Sequence, residues 1–371
     1  VPDQEADQLT RPFDRSVVAL DVGSSAVRAA QFTVSGRRRK LDRHGGVPLP
    51  AGAVNAGVVV DPTAVGKALK QLWSQARFSS KQVVFSVAND RVLVRQLDLD
   101  WMEPADFRKA LAYSVADQIP MAAADTNLDF HVLEELPAVP ELGIDRTLRI
   151  LLVAAGRDMV ETFVNALDVA GLSPLKADLA PFALIRAACP NPVSVPTDVA
   201  EAIVDIGADT LTVLTHSGGR PRFVRTVGHL GGRYITGELV HKFGWSFAEA
   251  EEAKASLGLP RPRTADTAQP AADGAAQQAI QERMGAVVAE VRTTLNFFLA
   301  AGTGVTKLSG VVLTGGGSRL AGLDERISLG LGVPVTRLTP PETVHLPTLA
   351  ADDPVGAEAL SLLAGLALGV D

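Results

Sequence analysis

One phrase is written twice in this chain. Val17-Val18-Ala19-Leu20-Asp21-Val22-Gly23-Ser24-Ser25 runs apolar strand, Asp, apolar residue, Gly, small polar turn, and an alternating stretch follows as far as Val34. Ala202-Ile203-Val204-Asp205-Ile206-Gly207-Ala208-Asp209-Thr210 repeats it, again followed by an alternating stretch, and Asp205 stands 184 positions after Asp21. β-Branched and small residues on either side of a Gly turn predict two strands joined by a tight loop. A repeat at this spacing constrains the fold more than any other feature, because it makes the chain two similar halves. The 371 residues are too many for one simple core and suit two domains.

Composition removes several classes of function. Apolar residues make up 47% and charged residues 21%, which excludes wholesale disorder. Asp plus Glu number 42 against 35 Lys plus Arg, a formal charge of −7, whereas a protein that coats phosphate backbones is basic. Nucleic acid is therefore not an expected partner. The single cysteine, Cys189, allows no internal disulfide and points to a reducing compartment. The most apolar stretch, Val355 to Val370, is broken by Glu358 and diluted by Gly356, Gly365 and Gly369, and it is shorter than the ~20 residues of a membrane span. Val1 to Asp14 carries acids and prolines with no apolar core, so it reads as a disordered tail and not as a signal peptide. A cytoplasmic protein is expected, with any membrane role peripheral.

Between the repeats the organisation is legible. The basic turn Ser35-Gly36-Arg37-Arg38-Arg39-Lys40 reads as a solvated hairpin tip. Asp61-Pro62 starts a helix with Val65, Leu69 and Leu72 on one face, and Val83–Val87 and Arg91–Leu97 are strands. From Asp98 the texture changes. A helix opens at Glu103-Pro104, Leu128–Leu133 and Leu148–Ala154 are strands, and a helix from Asp158 to Ala170 ends at Gly171. This block is expected to be a compact insert at 98–176, with Trp101, Phe107 and Tyr113 in its core. Prolines 190, 192 and 196 mark a boundary, dividing the chain into a first domain at 15–196 and a second at 197–371. The segment Arg261–Gln278, rich in Ala, Pro, Thr and Gln, reads as a flexible loop. A helix from Gln281 to Ala300 then leads into the apolar run Gly310–Thr314 and the turn Gly315-Gly316-Gly317-Ser318-Arg319-Leu320.

An Asp at a strand end followed by a Gly-bearing turn has a definite chemistry. The glycine lets consecutive N–H groups converge on phosphate oxygens, and Ser24 and Ser25 add hydroxyl donors. Asp21 would repel phosphate, so its role is to hold magnesium through water, and Asp205 takes the same role in the second copy. Two such turns facing each other form a phosphate clamp. Gly315, Gly316 and Gly317 offer a surface on which an adenine ring lies without side-chain obstruction.

These residues resemble a known superfamily. Asp21-x-Gly-Ser-Ser, Asp205-x-Gly-Ala-Asp-Thr and Thr314-Gly-Gly-Gly-Ser-Arg-Leu are similar, in order, to the first phosphate, second phosphate and adenosine motifs of the actin-like ATPases. Leu230-Gly231-Gly232 resembles the turn after the second phosphate strand pair. Ala250-Glu251-Glu252-Ala253-Lys254 resembles the helix whose Glu and Lys flank the nucleoside. Within the superfamily the chain resembles the PilM family of type IV pilus assembly proteins over roughly Ser16 to Leu368. The resemblance is carried by Asp21 to Arg28 (Arg28 standing where Lys is usual), Ile119-Pro120-Met121, Asp129-Phe130-His131-Val132-Leu133, Ala170-Gly171-Leu172-Ser173-Pro174, Pro181-Phe182-Ala183-Leu184 and Phe247 to Lys254.

The resemblance implies an α/β, actin-like fold of two duplicated domains with a subdomain inserted in the first. It implies ATP and Mg2+ in the cleft, bound by Gly23, Ser24, Ser25, Arg28, Gly207, Ala208, Asp209, Thr210, Gly231, Gly232, Glu251, Lys254, Gly315, Gly316, Gly317 and Arg319. Asp21 and Asp205 would face the metal. It further implies an adaptor whose insert docks the N-terminal cytoplasmic tail of a PilN-like inner-membrane protein, holding it at the inner face of the membrane. Related ATPases place Glu-Pro at the start of the helix joining the halves, where the Glu orients the attacking water. Ala180-Pro181 stands there in this chain, with Asp178 as the nearby carboxylate, so slow hydrolysis at best is expected. The alternatives are an FtsA-like division or filament-forming ATPase, and a small-molecule kinase of the same superfold.

Overall fold

The computed structural model describes residues 15–35, 38–138, 140–143, 145–259, 271–346, 353 and 355–370. The chain opens with β1 (Arg15–Val22), β2 (Ala26–Ser35) and β3 (Arg38–Pro48), followed by a small hairpin of β4 (Val54–Asn55) and β5 (Val58–Val59). Helix α1 (Pro62–Ala76) and β6 (Gln82–Val87) come next. A second block holds β7 (Val92–Asp100), α2 (Pro104–Ser114), β8 (Thr126–Leu136) and β9 (Thr147–Gly156), and α3 (Arg157–Ala170), β10 (Ser173–Leu179) and α4 (Ala180–Ala188) follow it. The second half contains β11 (Val199–Ile206), β12 (Thr210–Ser217), β13 (Arg220–Gly228), α5 (Gly232–Phe243), α6 (Phe247–Leu257) and α7 (Ala271–Ala300). It ends with β14 (Lys307–Thr314), α8 (Leu323–Leu331), β15 (Val335–Arg337), β16 (Val344–His345) and α9 (Gly356–Leu368).

The written repeat is a structural repeat. One sheet runs β10-β6-β1-β2-β3-β16 and the other β13-β12-β11-β14-β15. In each, the Asp-bearing strand pairs antiparallel with the strand after it and parallel with a later one: β1 with β2 and β6, β11 with β12 and β14. Strand alternation gives each sheet two apolar faces. Val17 and Ala19 of β1 face one core while Val18 and Leu20 face another, and Ile203 of β11 parts in the same way from Ala202 and Val204. The outer faces are covered by α1 and α3 on the first sheet and by α5, α7 and α8 on the second. Between the inner faces lie α4 and α9.

Helix α9 is apolar all round because it is buried all round. Leu360, Leu363 and Leu366 are fully buried, worth roughly 1.5–3 kcal/mol each. It lies so close to α4 that a Cβ on Gly365 would sit 1.9 Å from the Ala183 carbonyl oxygen. Its C-terminal carbonyls are capped by Arg39, whose Nε donates to Ala367 O at 3.0 Å and whose Nη2 donates to Val370 O at 2.7 Å. Of the basic turn expected to be solvated, Arg39 is therefore a buried structural cation. The last helix also packs on β1 and β2, and β16 pairs with β3. The end of the chain thus returns to the first sheet, which a boundary drawn along the sequence at 197–371 assigns to the second domain.

Two further expectations change. The inserted sheet, β7-β9-β8, spans 92–156 and has its own core around Phe107, Leu111, Ile150 and Leu152. Helix α3 and β10, expected within the insert, belong to the first domain: α3 packs on α1, and β10 pairs with β6. Tyr113 is not in the insert's core but 87% exposed. In the second half, α7 already begins at Ala271, so the part of the expected loop at 271–278 is helical. Its alanines and glutamines are strong helix formers, and Ala276, Ala279 and Ile280 are buried at helical spacing. Residues 1–14 and 260–270, the expected tail and the rest of the loop, lie outside the described residues.

Candidate functional site

The two Asp-x-Gly turns close with the same hydrogen bond. Gly23 N donates to Ala26 O at 3.1 Å, and Gly207 N donates to Thr210 O at 2.8 Å. Each turn leaves its Asp at a strand end, flanked by a hydroxyl residue of the parallel neighbour. Thr314 lies opposite Asp205 in the β11–β14 register. Ser86, one residue beyond the last β1–β6 pair, donates to Asp21 Oδ1 at 2.9 Å. Both carboxylates line one cleft of about 1070 Å³ between the halves.

The electrostatics of that cleft are unusual. Burial and the charge of Asp21 together push Asp205 up to about 7. Burial also raises Asp21, against the opposing pull of Arg28, 3.7 Å away, and of the Ser86 hydroxyl. Two carboxylates facing each other without full compensation suit a divalent cation, which favours the charged form of both. Among the described residues no group of three or more His, Cys, Asp or Glu side chains gathers, so such an ion would complete its shell with water and ligand oxygens.

The third loop approaches closely. Gly315 has φ +81°, and a Cβ there would lie 2.2 Å from Asp205 Oδ1 and 2.4 Å from Ile206 O. Only glycine allows the backbone this near the second Asp. Beside this loop, across Gly232, α6 is started by a capping box between Ser246 and Glu249, which sets the phase of Glu251 and Lys254 three residues apart. Lys254 Nζ lies 2.6 Å from Glu251 Oε1, 2.8 Å from Thr236 Oγ1 and 3.3 Å from Gly232 O, and Thr236 also donates to Glu251. The pair is thereby anchored to α5 at the cleft wall.

Of the residues singled out from the sequence, the cleft brings together Asp21, Gly23, Ser24, Ser25, Arg28, Asp205, Gly207, Ala208, Thr210, Gly232, Glu251, Lys254, Gly315, Gly316, Gly317 and Arg319. Gly231 lies behind the wall, where a Cβ would meet Ala208 O at 2.4 Å. Asp209 is buried and does not line the cleft. Its carboxylate is 3.0 Å from Arg233 Nη1, and an unneutralised anion here would oppose a phosphate. Arg319 lines the cleft but is held by Glu358 of α9, 2.7 Å from its Nη2. Asp178 is not in the cleft: it is buried and ion-paired with Arg186 of α4, while Ala180 and Leu184 form the cleft floor.

Sequence reasoning missed Ser86, Arg233, Thr236 and Glu358. For Arg233 the only signal was its place directly after Gly231-Gly232. The other three carry none, because their roles come from packing between distant elements.

Comparison with known proteins gives the family and the fold. The family described as type IV pilus assembly protein PilM matches residues 19–370. The solved structure of a PilM–PilN type IV pilus biogenesis complex is similar with a TM-score of 0.78 and 24% identity, covering 96% of this chain and 99% of that one. The ethanolamine utilization protein EutJ from Carboxydothermus hydrogenoformans follows at TM-score 0.53 and 16% identity, covering 97% and 91%. MreB 5 of Spiroplasma citri, bound to AMPPNP, gives TM-score 0.53 and 12% identity, covering 96% of each chain. The fold is that of the actin-like ATPases, as the motifs implied.

Proposed function

The chain belongs to the type IV pilus assembly protein PilM family, and from that premise we propose that it is an ATP-binding adaptor of pilus assembly. The observation that carries the nucleotide part is the facing pair Asp21 and Asp205 at the ends of duplicated Gly turns, with Asp205 pushed up to about 7 by burial and its partner's charge. Mg2+ would neutralise both carboxylates and the phosphates between them. The N–H groups of the turns at 23–25 and 207–210 would take the phosphates. Gly315 to Gly317, with Glu251 and Lys254 nearby, would take the adenosine. Ala180 on the cleft floor and the Asp178–Arg186 pair outside it leave no carboxylate at the helix start, which supports binding with slow hydrolysis at most.

The partner is a PilN-like inner-membrane protein, docked through its N-terminal cytoplasmic tail. The insert suits this role because it has a core separate from the nucleotide scaffold and displays Tyr113 and Val132 at its surface. An extended tail in a groove gains affinity from a few buried side chains and from membrane tethering. Attachment to the inner face would come through this partner; no helix among the described residues is long and apolar enough to cross a membrane. The test is calorimetric titration of nucleotide-free protein with ATP, with Mg2+ and with EDTA. Tight binding only with Mg2+ supports the acidic pair as the metal site; equal affinity in both sinks it.

A further inference from the structure

We propose that Arg233 is a positioning residue that joins the two phosphate loops and sets how long a nucleotide is retained; this rests on the nucleotide reading above. Arg233 is the second residue of α5, and its backbone N donates to Ala208 O at 2.8 Å. That bond fixes the start of its side chain against the second loop. The guanidinium then reaches in two directions. Nη1 lies 3.0 and 3.1 Å from the two carboxylate oxygens of Asp209 in the second loop. Nη2 donates to the Ser24 carbonyl of the first loop at 3.0 Å, across 209 positions of sequence. Among the described residues no other side-chain hydrogen bond joins these loops.

The chemistry of the bridge requires arginine. A planar guanidinium presents divergent N–H donors at fixed angles, so one side chain can hold a carboxylate and a carbonyl on opposite sides. Both partners are largely buried, Ser24 at 6% and Asp209 at 8% exposed, while the guanidinium between them is partly open to the cleft. Arg233 itself lines the cleft between the turns assigned to the phosphates. Asp209 neutralises the guanidinium and orients it, which explains an acid in a loop otherwise suited to anions. For the halves to part, the Arg233–Ser24 bond must break. A nucleotide enters and leaves only while this bridge is open, and once bound its phosphates hold both loops in the bridged arrangement, so Arg233 acts chiefly on dissociation.

The experiment is stopped-flow release of a fluorescent methylanthraniloyl-ATP, with Mg2+, from the full chain and from R233A and R233K. The expected result is release at least tenfold faster from R233A than from wild type. R233K should fall between them, because an ammonium reaches one partner and not both, and the association rate should change less than the release rate. Release from R233A within twofold of wild type, at an unchanged melting temperature, overturns the proposal. If R233A does not fold, R233K decides by the same twofold criterion. Failure of the nucleotide reading has a different signature: wild type itself binds no analogue, and the retention role then falls with it. Faster amide hydrogen exchange at residues 23–27 in the ligand-free variants is the accompanying sign that the bridge held the first loop.

Discussion

Replacing Asp205 by Asn should stabilise the ligand-free fold while removing its response to metal. The wild-type carboxyl titrates at about 7 in the folded protein against a reference value of 3.8. The folded state therefore holds a proton that the unfolded state has lost, and stability falls as pH rises through this window. Between pH 5 and the folded value of about 7 the loss is about 3 kcal/mol, at 1.36 kcal/mol per pH unit. Asn mimics the protonated acid and does not titrate. D205N should thus already be the more stable protein at pH 5, where the unfolded carboxyl is ionised, and its advantage should grow by about 3 kcal/mol by pH 8, groups remote from Asp205 cancelling in the comparison. The assay is urea unfolding of both proteins, free of nucleotide, at the two pH values, followed by repeats with Mg-ATP. Wild type should gain stability from Mg-ATP most strongly at pH 8, where a cation relieves two charged carboxylates, and D205N should gain little. An unchanged difference between the two proteins from pH 5 to pH 8 would falsify the facing-carboxylate reading.

Mg-ATP at a hundredfold excess over its dissociation constant should stabilise the native state by about 2.7 kcal/mol, read as a rise in melting temperature; no rise on nucleotide-free protein would mean that the cleft binds nothing. Substituting Tyr113, 87% exposed on α2, by Ala should weaken binding of a PilN-like tail peptide at least severalfold in a fluorescence titration while leaving Mg-ATP affinity alone. Unchanged peptide affinity would move the docking site off that face of the insert. Gly365→Val should destabilise the whole molecule by several kcal/mol, on the order of the larger overpacking penalties, because a Cβ would sit 1.9 Å from the Ala183 carbonyl oxygen. A urea midpoint equal to wild type would show that α4 and α9 can separate at little cost.

The turns and the duplication were legible because each is written in contiguous residues. Asp, Gly and small polar residues at a strand end encode their own geometry over four or five positions, and Gly23 and Gly207 close identical turns for that reason. The α6 capping box and the Gly171 helix stop are local in the same sense. What tertiary structure alone decided concerns groups far apart in the chain. The return of α9 to the first sheet, the Arg39 cap on its last carbonyls and the Arg319–Glu358 tie depend on which apolar surfaces find each other. The edges of the insert were misplaced because a strand reads the same whether it extends a large sheet or starts a small one, and only pairing distinguishes β10 from β7. Asp209 came with the motif it belongs to and Asp178 from its place beside Ala180-Pro181, yet each is paired with an arginine that no spacing rule connects to it. A carboxylate's role depends on the nearest charge in space, and that distance exists only after the chain has folded.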